Sequence, residues 1–102
     1  MQKMMTKTIS GKVPRLYQTD GQGREAVAYA HYFSCYGGLS GFDWYMTEYD
    51  PETGEAFGLV KGYCTEQGYF SIDEFEHINR KHGFEVIERD MYFTPLKLSE
   101  IA

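Results

Sequence analysis

A chain of 102 residues falls in the single-domain range and buries roughly 60 to 70 per cent of the surface its unfolded form exposes, so one core is expected without disulfide or metal staples. Hydrophobic content of 42% with 17% aromatic fills that core and leaves large rings over, while a formal net charge of -5 disfavours non-specific attraction to nucleic acid or anionic membrane. Met1 to Gly11 is polar, carries Lys3 and Lys7 and does not read as a signal peptide, and no apolar stretch reaches the length of a membrane span, so the expected location is cytoplasmic.

Residues 1–12 read as a flexible basic leader and 13–102 as a single α+β domain. The first 24 residues hold five cations against Asp20, a charge of +4, which leaves -9 on the rest. Val13 to Tyr17 opens the ordered region and Asp20 to Gly23 forms a loop. Glu25 to Ser34 reads as a strand with Val27, Tyr29, His31 and Phe33 on one face and Ala28, Ala30 and Tyr32 on the other. The glycine-rich loop Tyr36 to Gly41 ends it. A second strand runs from Phe42 to Tyr49, with Trp44 and Met46 opposite Tyr45, Thr47 and Tyr49. Asp50-Pro51-Glu52-Thr53-Gly54 is a turn, because Pro presets one turn angle and Gly supplies the positive one. A third strand, Ala56 to Tyr63, carries Gly58 and Gly62, which mark a bulge or leave room for a bulky neighbour. Short turns between consecutive strands imply antiparallel pairing.

Ser71-Ile72-Asp73-Glu74 is a capping box that starts a helix ending at about His82, with Ile72, Phe75, Ile78 and Asn79 as its stripe and Gly83 as its stop. Phe84 to Arg89 reads as a fourth strand, and Leu96 and Leu98 bring the tail back. The expected fold is therefore an antiparallel β-meander of about four strands with one main helix on one face.

One helix cannot cover both faces of such a sheet, so some of Tyr29, Tyr32, Trp44, Tyr45, Tyr49 and Tyr63 are expected to stay partly exposed unless a terminus folds over them. Exposed sheet aromatics also allow a homodimer. The chemistry-bearing residues are sparse. Cys35 and Cys64 each stand alone, outside any metal or disulfide spacing, and read as reduced, half-buried thiols. His77 and His82 are five apart and fall on different helix faces, so no zinc site is expected. His31 lies mid-strand as a packed or hydrogen-bonded histidine. No catalytic residue, cofactor or metal is assigned.

The most unusual segment is acidic: Asp43, Glu48, Asp50, Glu52 and Glu55 lie within thirteen residues that contain no Lys or Arg, with Trp44, Tyr45 and Tyr49 interleaved. Read plainly it is a solvated hairpin. Read functionally these eight residues form a docking site, with rings as anchors and carboxylates steering a basic groove.

Leu16-Tyr17 with Asp20-Gly21, Trp44-Tyr45 with Glu48-Tyr49-Asp50-Pro51, Phe57-Gly58-Leu59-Val60 with Gly62, Gly68-Tyr69-Phe70-Ser71 with Glu74, and Ile87-Glu88-Arg89-Asp90 with Phe93 follow one another in an order that resembles domain of unknown function family 2958, from about Leu16 to Leu98. The resemblance implies a small cytoplasmic protein of phages, plasmids and other mobile elements with no established activity, and it carries over no catalytic residues. It sets the functional expectation as a non-enzymatic, counter-defence inhibitor (anti-CRISPR or anti-restriction) binding a basic host protein such as a CRISPR effector or restriction nuclease. The alternative is an accessory nucleic-acid-binding protein that uses sheet aromatics and the basic leader, against which the acidic body argues.

Overall fold

The computed structural model describes residues 3–34 and 41–101, so Cys35 and most of the expected loop, Tyr36 to Ser40, lie outside the described residues. Two-residue alternation buries Ala28, Ala30, Tyr32 and Ser34 and leaves Val27, Tyr29, His31 and Phe33 half-buried. The predicted first strand is broken at Tyr29, whose N–H donates to the Met46 carbonyl at 2.8 Å. It becomes β1 (Val27–Ala28) and β2 (Ala30–Ser34), followed by β3 (Asp43–Tyr49), β4 (Glu55–Lys61) and β5 (Thr65–Ser71). After the helix α2 (Ile72–His82) come β6 (Ile87–Arg89) and β7 (Leu96–Lys97).

Five strands form one sheet in the order β5-β4-β3-β2-β6, antiparallel throughout, and β1 pairs antiparallel with β7. The α+β meander with one main helix is as the sequence predicts. It has one more strand than expected, because β5 lacks the apolar alternation by which strands are recognised and is held by its continuous register with β4 from Glu55↔Ser71 to Lys61↔Thr65. The fourth predicted strand is shorter than Phe84 to Arg89, since only Ile87 to Arg89 pairs with β2.

The bulge between Met46 and Glu48 corrects the predicted alternation of β3. One extra residue turns Tyr49 to the same side as Trp44 and Met46, and all three join the main core. Gly58 lies opposite Met46 beside this bulge, where a Cβ would fall 1.8 Å from the Tyr45 carbonyl oxygen, and a Cβ at Gly62 would meet the Phe42 ring at 2.4 Å. Both roles foreseen for these glycines are present.

α2 covers the main core. The Ser71 hydroxyl accepts from the Glu74 N–H at 3.1 Å, and Gly83 stops the helix in the left-handed conformation at φ 78°. Phe75 packs against Trp44 with ring centroids 4.7 Å apart. Asn79, buried, donates to the Ile87 carbonyl at 2.8 Å and accepts the Ile87 N–H at 3.0 Å, which ties the helix to β6.

From Lys3 on, the expected leader is not a solvated tail. Residues Lys7–Lys12 form a short helix, α1, capped by Thr6, and Met4 is fully buried with its carbonyl accepting the Tyr32 hydroxyl. Met4, Met5, Ile9 and Val13 supply enough apolar surface to seal the part of the core that α2 does not reach. On the opposite face of the sheet, Leu98 packs with Ala28 and Leu59, flanked by Tyr45, Phe93 and Ile101. Each terminus therefore covers sheet surface that the helix leaves open. Among the described residues no helix is long and apolar enough to cross a membrane.

Candidate functional site

The eight residues of the acidic segment separate into four environments. Trp44 and Tyr49 are each 6% exposed and belong to the core, so neither is a surface anchor. Burial raises the pKa of the Tyr49 hydroxyl, reinforced by the nearby carboxylates of Asp73 and Glu76 and opposed by Arg15.

Glu48 is turned by the bulge towards the loop that precedes β1. Only 2% exposed, it accepts the N–H groups of Tyr17 and Thr19, both at 2.8 Å, together with the Thr19 hydroxyl. Its charge is spent on holding that loop. It is not a steering charge, a correction that alternation along an unbroken strand conceals.

Asp43 is drawn into a third arrangement, one that sequence reasoning missed. Its carboxylate bonds His31 Nε2 at 2.7 Å, and Asp90 bonds His31 Nδ1 at 3.0 Å. The imidazole stacks on Tyr45, with centroids 4.4 Å apart and planes 5° from parallel. A carboxylate oxygen accepts, so each contact is a hydrogen bond when the ring nitrogen facing it carries the proton. A hydrogen-bonded His31 is what the sequence predicts. Its partners were not legible, because Asp90 is 59 positions away and Asp43 lies in the acidic run. Burial, the largest influence on Asp90, pushes its pKa up. The His31 hydrogen bond, the Tyr92 N–H and the His31 charge together outweigh it, and the value falls below the ordinary carboxylate range. Tyr45 is held above its usual value by burial and by Asp43 and Asp90.

What remains of the predicted site is the turn itself, and the fold enlarges it. Asp50 accepts the Glu52 N–H on Oδ1 at 2.9 Å and the Gly54 N–H on its carbonyl at 2.8 Å, which fixes a tight turn with Gly54 at φ 79°. A Cβ on Gly54 would fall 2.4 Å from the Asp73 carboxyl, so the first turn of α2 lies directly against the hairpin. The Ile72 N–H donates to the Gly54 carbonyl at 2.8 Å. Asp50, Glu52 and Glu55 thereby join Asp73, Glu74 and Glu76 in one acidic surface, where Glu52, Glu55, Asp73 and Glu74 are exposed. Arg15 stands at its rim, its guanidinium bonded to the carbonyls of Ser10 and Val13 and 3.5 Å from that of Tyr49.

Elsewhere, a cleft of about 220 Å³ lies between α1 and the segment after β6, lined by Thr6, Lys12, Tyr29, Arg89, Asp90 and Phe93 among others. Arg89 donates there to the Lys3 carbonyl at 2.9 Å. Among the described residues no three His, Cys, Asp or Glu side chains are placed to hold a metal ion. Cys64 is an exposed free thiol rather than a half-buried one, because it sits in the three-residue loop between β4 and β5.

The model of a family described as a protein of unknown function, DUF2958, matches residues 13–102. No curated protein and no solved structure matches the chain.

Proposed function

The chain belongs to the DUF2958 family of proteins of unknown function, and on that premise we propose that it is a non-enzymatic, cytoplasmic binding factor that presents an acidic face to a basic protein surface. The observation that carries this reading is the contact between the hairpin and the first turn of α2, which brings Asp50, Glu52 and Glu55 beside Asp73 and Glu74, with Glu76 one turn further on. Such a surface repels phosphate and attracts the Lys and Arg rows that line nucleic-acid grooves. A host nuclease, of the CRISPR or restriction kind, offers a groove of that chemistry, and the protein would act as its inhibitor in a phage or other mobile element.

The nucleic-acid alternative has less support. Tyr32 and Trp44 are buried and unavailable for base stacking, and part of the basic leader is folded onto the domain. The discriminating experiment compares wild type with the variant Glu52→Lys/Glu55→Lys/Glu74→Lys in capture from host lysate, followed by association kinetics on the captured protein at several salt concentrations. Reversal at exposed positions should slow association and flatten its salt dependence while leaving the fold intact. Equal capture and equal rates would overturn the reading, and a tight mobility shift with nucleic acid would favour the alternative.

A further inference from the structure

β5 is an edge strand, and among the described residues no strand pairs with its outer side, although the Gln67 side chain donates to the Gly23 carbonyl at 3.2 Å and Tyr69 bonds Tyr17. In an antiparallel pair, alternate residues turn their N–H and C=O towards the partner strand. The β4–β5 ladder is bounded by the Ile72 N–H on the Gly54 carbonyl and the Gly62 N–H on the Cys64 carbonyl. Even-numbered residues of β5 therefore bond inward, and Thr65, Gln67 and Tyr69 turn their backbone groups outward. No described residue pairs with those outward groups.

Edges of this length are ordinarily blunted by Lys, Pro, a bulge or a covering segment. β5 has seven residues in unbroken register, contains neither Lys nor Pro, and leaves Thr65, Glu66, Gln67 and Tyr69 exposed. Lys61 stands opposite Thr65 and Arg24 follows Gly23, but the strand itself and the segment after it carry only acidic charge. No Lys or Arg occurs from Gly62 to Asn79, whereas Glu66 lies on the strand and Asp73 and Glu74 follow its end. The Tyr69 hydroxyl has a raised pKa, chiefly through its hydrogen bond with Tyr17 and also through the nearby charges of Glu48 and Asp20.

We propose that β5 accepts an extended basic peptide segment of the partner protein as a sixth strand of the sheet. This inference rests on the basic-partner reading above and supplies its binding mode. Backbone hydrogen bonds to Thr65, Gln67 and Tyr69 provide the pairing, and the flanking side chains select the sequence. A Lys or Arg of the peptide lies beside Glu66. A Cβ on Gly68 meets no atom within 4 Å, so that position admits a large apolar side chain next to Phe70. On the other face Tyr69 and Tyr17, 52% and 62% exposed, offer rings to a second cation.

The test uses the full chain and two nine-residue peptides of alternating Lys and Val, one unmodified and one N-methylated at alternate backbone amides. Both carry the same charge, and only the first can extend a ladder. The unmodified peptide should bind about tenfold or more tightly than the methylated one. It should also slow hydrogen exchange at the amides of Thr65, Gln67 and Tyr69. In Gln67→Pro, which removes an outward donor and the side-chain bond to the Gly23 carbonyl but no bond to β4, the preference should disappear, whereas Gln67→Ala, which loses only the side-chain bond, should keep it. The methylated peptide keeps the test independent of how either variant folds. Equal binding of both peptides would overturn strand addition and leave the acidic-face reading standing. Binding of neither would overturn both. Protection of the same amides by raising protein concentration without peptide would assign the edge to a second copy of the chain and overturn the proposal.

Discussion

Glu48 and His31 are both polar groups placed where water is scarce, and their hydrogen bonds are met differently. Glu48 takes its hydrogen bonds from backbone N–H groups, which carry no titrating proton. In doing so it holds Tyr17 at φ 73°, a left-handed conformation that costs a non-glycine residue about 1 to 2 kcal/mol. Glu48→Ala leaves two N–H donors without their acceptor, and it should lower stability by about 2 to 3 kcal/mol in denaturant melts and expose residues 14–25 to proteolysis. His31 is instead bonded by Asp43 and Asp90, and the lowered pKa of Asp90 makes that centre sensitive to acid. The folded pKa of Asp90 is depressed, so its contribution to stability is complete above the unfolded value near 3.8 and is lost as pH falls through the lower folded value. Melts between pH 5 and 2 should show wild type losing its advantage over Asp90→Asn in that window. Parallel curves for the two proteins would mean that Asp90 gains nothing from His31.

At the scale of elements, α2 and the leader divide the cover of one core. Phe75 meets Trp44, Tyr32 and Phe70, and Phe75→Ala should cost about 3 to 5 kcal/mol, against about 1 kcal/mol for Ser71→Ala through the lost cap. Met4 is as deeply buried as any residue of the sheet, and Met4→Ala should cost about 2 to 5 kcal/mol, where a loose tail would give no change. The helix was legible because its signals are local: Ser71 as cap, the stripe of Ile72 and Phe75, and Gly83 as stop. The turn around Gly54 was legible for the same reason, but the turn from Gly62 to Cys64 was not: the third strand reads through to Tyr63 in the sequence and ends at Lys61 in the structure. Met4 was not, since a lone apolar residue among polar neighbours has no periodicity and is placed only by the hole it fills. β5 was not, because an edge strand exposed along most of its length needs no alternation. Of the acidic site, Asp50, Glu52 and Glu55 were legible from composition. The fates of Glu48 and Tyr49 turned on one inserted residue at the bulge, which shifts every later side chain to the opposite face, and Trp44, which precedes it, is buried against Phe75 of α2.

Over the whole molecule the folding of both termini onto the sheet has an electrostatic consequence. The leader carries cations, and Arg15 and Arg89 anchor their guanidinium groups on carbonyls of the N-terminal segment rather than on the acidic turn. The surface formed by Asp50, Glu52, Glu55, Asp73, Glu74 and Glu76 is therefore left with little compensation, and at a net charge of -5 it stores mutual repulsion that the unfolded chain relieves by expanding. Mobile ions screen exposed charges far more than the half-buried His31 centre. Stability should then rise with salt, by about 2 to 4 °C in melting temperature between low ionic strength and about 0.2 M NaCl if screening recovers about 0.5 kcal/mol. The variant Glu52→Lys/Glu55→Lys should begin higher at low salt and gain less, because it replaces repulsion within the patch by attraction. A falling melting temperature with added NaCl in wild type would mean that ion pairs, and not the acidic face, dominate the field of the folded protein, and a basic partner would then find no excess of negative charge to meet.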